Sequence, residues 1–456
     1  MPIPTHDPNA LAPPGALLAP AAPPHPWLSI PPAVFYGFSA MSIVGGELGM
    51  ALLLLGLLLV RPPLAYPPRE LERLLLPFGV LFAAILLSAM VNPQPLANLQ
   101  QSIVYRLVLL PPLLLLNLPH VNARRVLQVL CVAVIAIGLY GAEQFLFAFQ
   151  FLNSADYELL PYGAFHRATG TFNNGLTYSG YLLLVAPPLG MLGLAERTRW
   201  RWLWLLGGAL AVVGVFASLS RSAVVGLAAA ALLLLFRFSR TLGLAAALAG
   251  ATLVAVLVIG APMVTHRLQA NPWVQQSRLL QRYVLISPSA DRSSMDRILI
   301  WQAGLLGFQE RPIFGFGLGN HNPELGPYQH KVVEAHGWPD YQFTVGYGVP
   351  LHNIYLRALF DLGLVGLLCY LWLWGSVLLS IARGVRAAGP RERWEAALLW
   401  GLAAGLVASM AAGVFEDNFF DGEVQTIIVA QMALSLYVSW RVTGAAAARR
   451  GGPAAG

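Results

Sequence analysis

The chain is short of charge. Charged residues make up 11% of its 456 residues, against about 25% in a water-soluble domain. Hydrophobic residues make up 57%. A sequence so poor in charge cannot clothe a soluble surface, so the bilayer must be its main solvent. Lysine is nearly missing: Lys331 stands alone, and arginine carries the positive charge. In a soluble protein a net charge of +7 would raise nucleic acid as a partner. Here most arginines fall in short loops between apolar runs, as membrane topology requires, and no nucleic-acid partner is expected. The two cysteines, Cys131 and Cys369, sit inside apolar runs, which excludes a disulfide framework and a thiolate metal site. Residues 1–27 hold Pro and Ala without a basic stretch ahead of an apolar core. They are read as a disordered cytoplasmic tail and not as a signal peptide. Catalytic signatures are scarce as well. The loops of the outer face lack D-x-D, E-x-D, metal-ligand His/Cys spacing and G-x-S-x-G, so no metal, cofactor or serine nucleophile is expected.

What is present is a series of apolar runs, near 29–44, 46–60, 74–91, 98–117, 126–150, 176–194, 202–218, 222–236, 242–263, 353–382, 395–415 and 424–440. They imply an all-α polytopic membrane protein with about twelve transmembrane helices of about 20 residues. Nine fall within 28–263 and three within 353–440, with a long loop at 264–352 and a cytoplasmic tail at 441–456. The first two runs allow one element broken around Gly45-Gly46-Glu47. The fourth, with Arg106 and Pro111-Pro112, reads as kinked or re-entrant.

Arginines fix the orientation. Arg61, Arg69 and Arg73; Arg124 and Arg125; Arg197, Arg199 and Arg201; Arg237 and Arg240; Arg383, Arg386, Arg391 and Arg393; and Arg441, Arg449 and Arg450 occupy alternate loops and the C-terminal tail. The positive-inside rule makes all of these cytoplasmic. The long loop then lies outside, and a loop of that length is expected to be functional. Within it, Met295–Glu310 has helical spacing of Ile298, Trp301, Leu305 and Phe308, and Pro312 ends the pattern.

The chemically capable residues share the outer face. Arg221 sits in a very short outer turn, where an arginine needs an anionic partner or a route to water. It could also snorkel to lipid phosphate. Arg297 lies on the amphipathic segment of the long loop and Arg167 precedes the sixth run. Each could be an ordinary solvated charge, but converging guanidinium groups would suit a pyrophosphate. His352 opens the tenth run and could transfer a proton near neutral pH, or be a plain interfacial histidine. Gly315, Gly317 and Gly319, followed by Asn320, could form an anion-binding nest or an ordinary loop. They lack the elements of a nucleotide-binding loop. Arg357 and Asp361 have i,i+4 spacing and could simply pair. Arg106 and Glu143 are further candidates for internal pairing.

At these residues the sequence resembles the O-antigen ligase family, which includes lipopolysaccharide O-antigen ligases, O-antigen and exopolysaccharide polymerases and protein O-oligosaccharyltransferases. The resemblance spans about 160 to 440. It is carried by Arg167-x-x-Gly170-Thr171-Phe172 with Asn173-Asn174, by Ser220-Arg221-Ser222 opening a run, by Arg297 to Trp301 leading into Pro312 to Asn320, and by His352 ahead of Gly363. It implies a metal-independent GT-C-type glycosyltransferase of the bacterial inner membrane, with its site facing the periplasm. The implied donor is a glycan on undecaprenyl pyrophosphate. The implied acceptor is lipid A–core for a ligase, or another lipid-linked glycan for a polymerase. By the same resemblance Arg221 and Arg297 would hold the pyrophosphate, Arg167 would support them, and His352 would activate or orient the acceptor. The family's Arg-x-x-x-Leu spacing is not kept, since Val225 follows Arg221 and Trp301 follows Arg297. Ligase and polymerase therefore both stay open. A lipid-linked oligosaccharide transporter is the reading from another class, and it predicts internal repeats and charges lining a path through the membrane.

Overall fold

A computed structural model describes residues 26–93, 95–150, 161–162, 164–259, 270–278, 280–281, 292–319, 321–344, 346–348 and 350–450. The tail at 1–25 and Asn320 lie outside these. The chain is an all-α polytopic membrane protein. Among the described residues, nine helices are long and apolar enough to cross a membrane, and Val44–Val60 is a shorter apolar helix.

The N-terminal elements are α1 (Ile30–Phe38), α2 (Ile43–Val60), α3 (Pro68–Val91), the short α4 (Pro95–Leu99), α5 (Ser102–Asn117) and α6 (Ala123–Phe147). A two-residue ribbon, β1 (Pro161–Tyr162) with β2 (Phe165–His166), follows. Then come α7 (Gly175–Ala195), α8 (Trp200–Ala217), α9 (Arg221–Phe238) and α10 (Arg240–Ile259). The segment between α10 and the next long helix holds α11 (Pro272–Gln276), α12 (Arg292–Glu310) and α13 (His321–Ala335), and then come α14 (Ile354–Ala387), α15 (Arg393–Ala412) and α16 (Gly422–Arg450).

The first two apolar runs are not one broken element. They form an antiparallel hairpin with its turn at 39–42, Ser42 capping α2 by accepting from the Gly45 N–H at 3.0 Å. Gly45 and Gly49 let α2 lie against the backbone of Phe38 and Phe35. The fourth run is a continuous helix despite Pro111 and Pro112. Its Arg106 pairs with Glu47 of α2 at 2.5 Å, and not with Glu143. The last helix runs on to Arg450, through the part of the expected tail where Arg449 meets Glu392.

At the centre lies α7, with Tyr178, Tyr181 and Leu182 to Val185 fully buried. Pro188 cannot donate to the Leu184 carbonyl four residues back. Gln431 of α16 does so instead, through Nε2 at 2.7 Å. Gly405 of α15 faces the same Leu184 backbone, the close approach that small residues allow between membrane helices.

One departure from regular helix organises the end of the bundle that carries α12 and α13. Within α14, Gly363 takes φ 67° and ψ −167°, which splits the helix and frees backbone groups on both sides. The segment Pro312–Gly317 fills the gap. Phe316 and Gly317 donate to the carbonyls of Phe360 and Asp361 at 3.0 and 2.8 Å, and Leu364 donates to Pro312 O at 2.8 Å. From α3, Ser88 Oγ donates to Phe314 O at 2.7 Å and Asn92 reaches Gly315 O. A second apolar core, including Leu299, Ile300, Leu325, Tyr328, Phe316 and Phe360, ties α12 and α13 onto this seam.

Candidate functional site

Three segments converge at the end of the bundle opposite the arginine-rich loops. The first is the α8–α9 turn. Leu219 takes φ 53°, and Ser220 caps α9 by accepting from the Ala223 N–H at 3.4 Å. Arg221 then occupies the first turn of α9. A cation there opposes the helix dipole, so guanidinium and helix N-terminus together form a field that favours an anion.

The second segment is α12. Arg297 donates from Nη1 to Ser293 Oγ and from Nη2 to Glu416 Oε1, both at 3.0 Å. Beside it, Asp296 accepts from Tyr341 Oη at 2.7 Å and from the Thr344 N–H at 3.0 Å, which locks the helix to the following loop.

The third segment joins the start of α14 to the α15–α16 loop. His352 takes φ 48°, a left-handed conformation uncommon for a residue with a Cβ. Its neighbours hold it there. Trp301 Nε1 donates to Leu351 O at 3.0 Å, the Asn353 N–H donates to Asp417 Oδ1 at 3.0 Å, and Asn353 Oδ1 caps α14 through the Tyr355 and Leu356 N–H groups at 2.9 Å.

Glu416 is the hub. Its side chain is only 5% exposed, and a carboxylate so buried must be paired. Oε1 takes Arg297 and, at 3.2 Å, Ser222 Oγ. Oε2 faces His352 Nδ1 at 3.6 Å. Burial pushes the Glu416 carboxyl up, but His352, Arg297 and Ser222 outweigh it and hold it below its ordinary range. Burial likewise pulls the His352 imidazole down, but contact with Glu416 and the charges of Glu416 and Asp417 prevail and raise it. Both shifts favour the imidazolium–carboxylate form of the pair, and the imidazole edge away from Glu416 is left for a second partner.

Beside this hub lies a cavity of about 400 Å³. Arg221, Arg297, Ser222, Ser294 and Glu416 form its polar wall, and Leu176, Val224, Val225, Ile298, Trp301 and Phe415 its apolar one. The size suits a ligand group, and the lining suits an anion joined to a hydrocarbon.

The structure thus brings Arg297 and His352 to one carboxylate, with Arg221 on the wall of the adjoining cavity. Arg167 stands next to them: its Nε donates to Ser218 O at 2.9 Å, at the C-terminal end of α8, where a cation is favoured. Arg357 sits apart, 3.5 Å from Asp361, 3.4 Å from Asp417 and over the Phe420 ring at 4.4 Å. Gly315, Gly317 and Gly319 are not an open nest. Gly315 donates to Arg311 O at 3.1 Å, Gly317 to Asp361 O, and the Gly319 N–H is turned to the Asp361 carboxylate. Glu416 and Asp417 are absent from the sequence-derived candidates. The signal for them is the acidic run Glu416, Asp417, Asp421 and Glu423, on the face where buried arginines need counter-charge. Among the described residues, no group of three or more His, Cys, Asp and Glu side chains is placed to hold a metal ion.

The fold and site define a polytopic membrane protein with an arginine–carboxylate–histidine cluster at one end of its helix bundle. Residues 206–371 match the family model described as O-antigen ligase, and this supports an O-antigen ligase-family assignment. The matched segment contains Arg221, Arg297, His352 and Arg357, and ends before Glu416. No curated protein matches the chain.

Proposed function

We propose that the protein is a membrane glycosyltransferase that moves a glycan from undecaprenyl pyrophosphate to an acceptor hydroxyl on the periplasmic face, with lipid A–core as the leading acceptor. The observation that carries this is the sharing of Glu416: Arg297 is on one oxygen, beside the Arg221 cavity, and His352 is on the other. Cations for a leaving pyrophosphate and a base for an incoming hydroxyl are thereby set on either side of one carboxylate.

In the proposed step the acceptor oxygen bonds to the anomeric carbon while the bond from that carbon to the phosphate oxygen breaks. The electron pair of the broken bond leaves with the lipid pyrophosphate. Arg221 and Arg297, already ordered, stabilise that charge as it grows. The hydroxyl proton passes to the His352 nitrogen turned away from Glu416, and Glu416 offsets the imidazolium charge. A general base of this kind contributes typically about 10²–10⁴-fold. The apolar wall would take the first isoprene units. Polymerisation uses the same donor chemistry with a lipid-linked glycan as acceptor.

The test is transfer by the purified protein from a defined undecaprenyl-pyrophosphate glycan, in EDTA, with lipid A–core and a second lipid-linked glycan offered separately. Product on lipid A–core alone, lost in Arg221→Ala and His352→Ala, is expected. Lengthening of the lipid-linked chain would make the protein a polymerase. Absence of transfer to either acceptor by folded protein would overturn the assignment of these acceptors.

A further inference from the structure

At the arginine-rich end, α3, α14 and α16 leave a groove of about 410 Å³ between them. It is far along the chain from the cluster just described, at the other ends of these helices. Its lining is graded. Arg73 and Glu70 of α3 and Arg383 of α14 stand at the rim, with Ser376, Ser380 and Thr443 among the lining hydroxyls and Trp372, Leu436 and Pro77 farther along the helices from that rim. On α14 the residues 372, 376, 380 and 383 recur at helical spacing, so one face presents tryptophan, two hydroxyls and a guanidinium in order. That stripe is about 16 Å long at 1.5 Å per residue, the scale of a headgroup, its glycerol and the first acyl carbons. We propose that this groove binds one anionic diacyl phospholipid, with the phosphate between Arg73 and Arg383 and the acyl chains against Trp372 and Leu436.

Three features point to a lipid. The first is charge. Glu70 is the lone carboxylate of the lining, and its pair with Arg73 at 2.9 Å is solvent-exposed on both sides, hence weak and easily exchanged for a phosphate. The second is an unmet hydroxyl. Ser439 lines the groove, is 2% exposed, and its Oγ has no hydrogen-bond partner among the described residues. The third is an aromatic side chain. Trp440, held at 4.4 Å on Tyr66, has the amphipathic character that suits a headgroup boundary. Basic pockets between helices at a cytoplasmic leaflet are where anionic headgroups bind.

The full-length protein in neutral detergent, examined by native mass spectrometry, tests this. Phosphatidylglycerol, phosphatidylcholine of the same acyl chains and inorganic phosphate are the probes. One phosphatidylglycerol should be retained in preference to phosphatidylcholine, and inorganic phosphate at equal concentration should not displace it. Arg73→Gln with Arg383→Gln should lower its occupancy by about tenfold or more. Arg240→Gln, at the same end but outside the groove, should not. Ser376→Trp fills the groove without removing charge and should give the same loss, which covers the case of a double variant that does not fold. Equal retention of the two lipids, displacement by inorganic phosphate, or unchanged retention in the groove variants would each overturn the proposal.

Discussion

Replacing Glu416 by Gln separates a working cluster from a merely structural ion pair. Gln has nearly the same volume. Its amide oxygen can take the place of Oε1 and keep the bonds from Arg297 at 3.0 Å and Ser222 at 3.2 Å. The bond from Arg297 then loses its charge assistance on the acceptor side, a cost of about 1 kcal/mol, so the variant should fold. Its NH2 group falls where Oε2 faced His352 Nδ1. An amide donor there requires Nδ1 to accept, which leaves the proton on Nε2. The nitrogen expected to receive the acceptor proton is then occupied. Transfer should fall by on the order of 10²-fold or more, the contribution of a positioned base, and the loss should appear in kcat as well as kcat/KM. The Glu416 contact and charge raise His352, so their loss should also move the acid limb of any residual activity to lower pH. The assay is initial-rate transfer across pH with lipid-linked donor. Wild-type kcat in the Gln variant, or a loss confined to KM, would refute the role given to this pair.

Other outcomes follow from the same geometry. Arg297→Lys keeps the charge but cannot serve Ser293, Glu416 and a phosphate from one planar group, and should cost about 10²-fold in kcat/KM for donor in the same assay. Gly363→Ala sets a Cβ against the Ile313 carbonyl oxygen at φ 67°. It should destabilise by about 2 kcal/mol or more, seen as a lower thermal midpoint in detergent. Gln431→Leu leaves the Leu184 carbonyl without its donor and should cost about 1–3 kcal/mol, whereas Gln431→Glu should cost more. The His352–Glu416 contact should stabilise the protein only within a pH window. Glu416's share is lost as pH falls below the ordinary 4.5 through its lowered value. His352's share is full below 6.5 and lost as pH rises through its raised value. Thermal midpoints of wild type and His352→Gln should therefore converge at both ends.

The membrane class and most helix positions were legible because long apolar runs and arginine placement obey one-dimensional rules. Arg221 was legible for the same reason: an arginine in a short outer turn breaks the topology pattern. The α14 break was not. Gly363 looks like any glycine in an apolar run, and what makes it a break is the Pro312–Gly317 segment, about fifty residues earlier, supplying donors and acceptors to the opened helix. The glycine run invited an anion site for a sound reason, since positive φ does expose N–H groups, but those groups are taken by Arg311 O and by Asp361 of α14. Glu416 was hidden differently. Its importance comes from partners 64, 119 and 194 residues away, and no local pattern reports that.

On the proposed reading, one carboxylate is shared between a phosphate-binding arginine and a base, and this bears on the order of events. In the free protein Arg297 weakens His352 as a base in two ways. It draws on Glu416 through Oε1, and its own charge lowers the imidazole. On the proposed reading, a bound lipid pyrophosphate claims part of Arg297 and offsets its charge, which leaves Glu416 more fully to His352. Both changes act in one direction, and the imidazole becomes a stronger base once the donor is seated. A base strengthened only after donor binding would also be less able to activate water at an empty site. Since kcat/KM reports groups of the free enzyme and kcat those of the bound complex, the acid limb of kcat should lie at higher pH than that of kcat/KM when the donor is the varied substrate. In Arg297→Gln the two limbs should draw together, because the cation that links the sites is gone. Coincident limbs in the wild type, or limbs in the reverse order, would mean that the arginine and the histidine work independently and that Glu416 does no more than hold them in place.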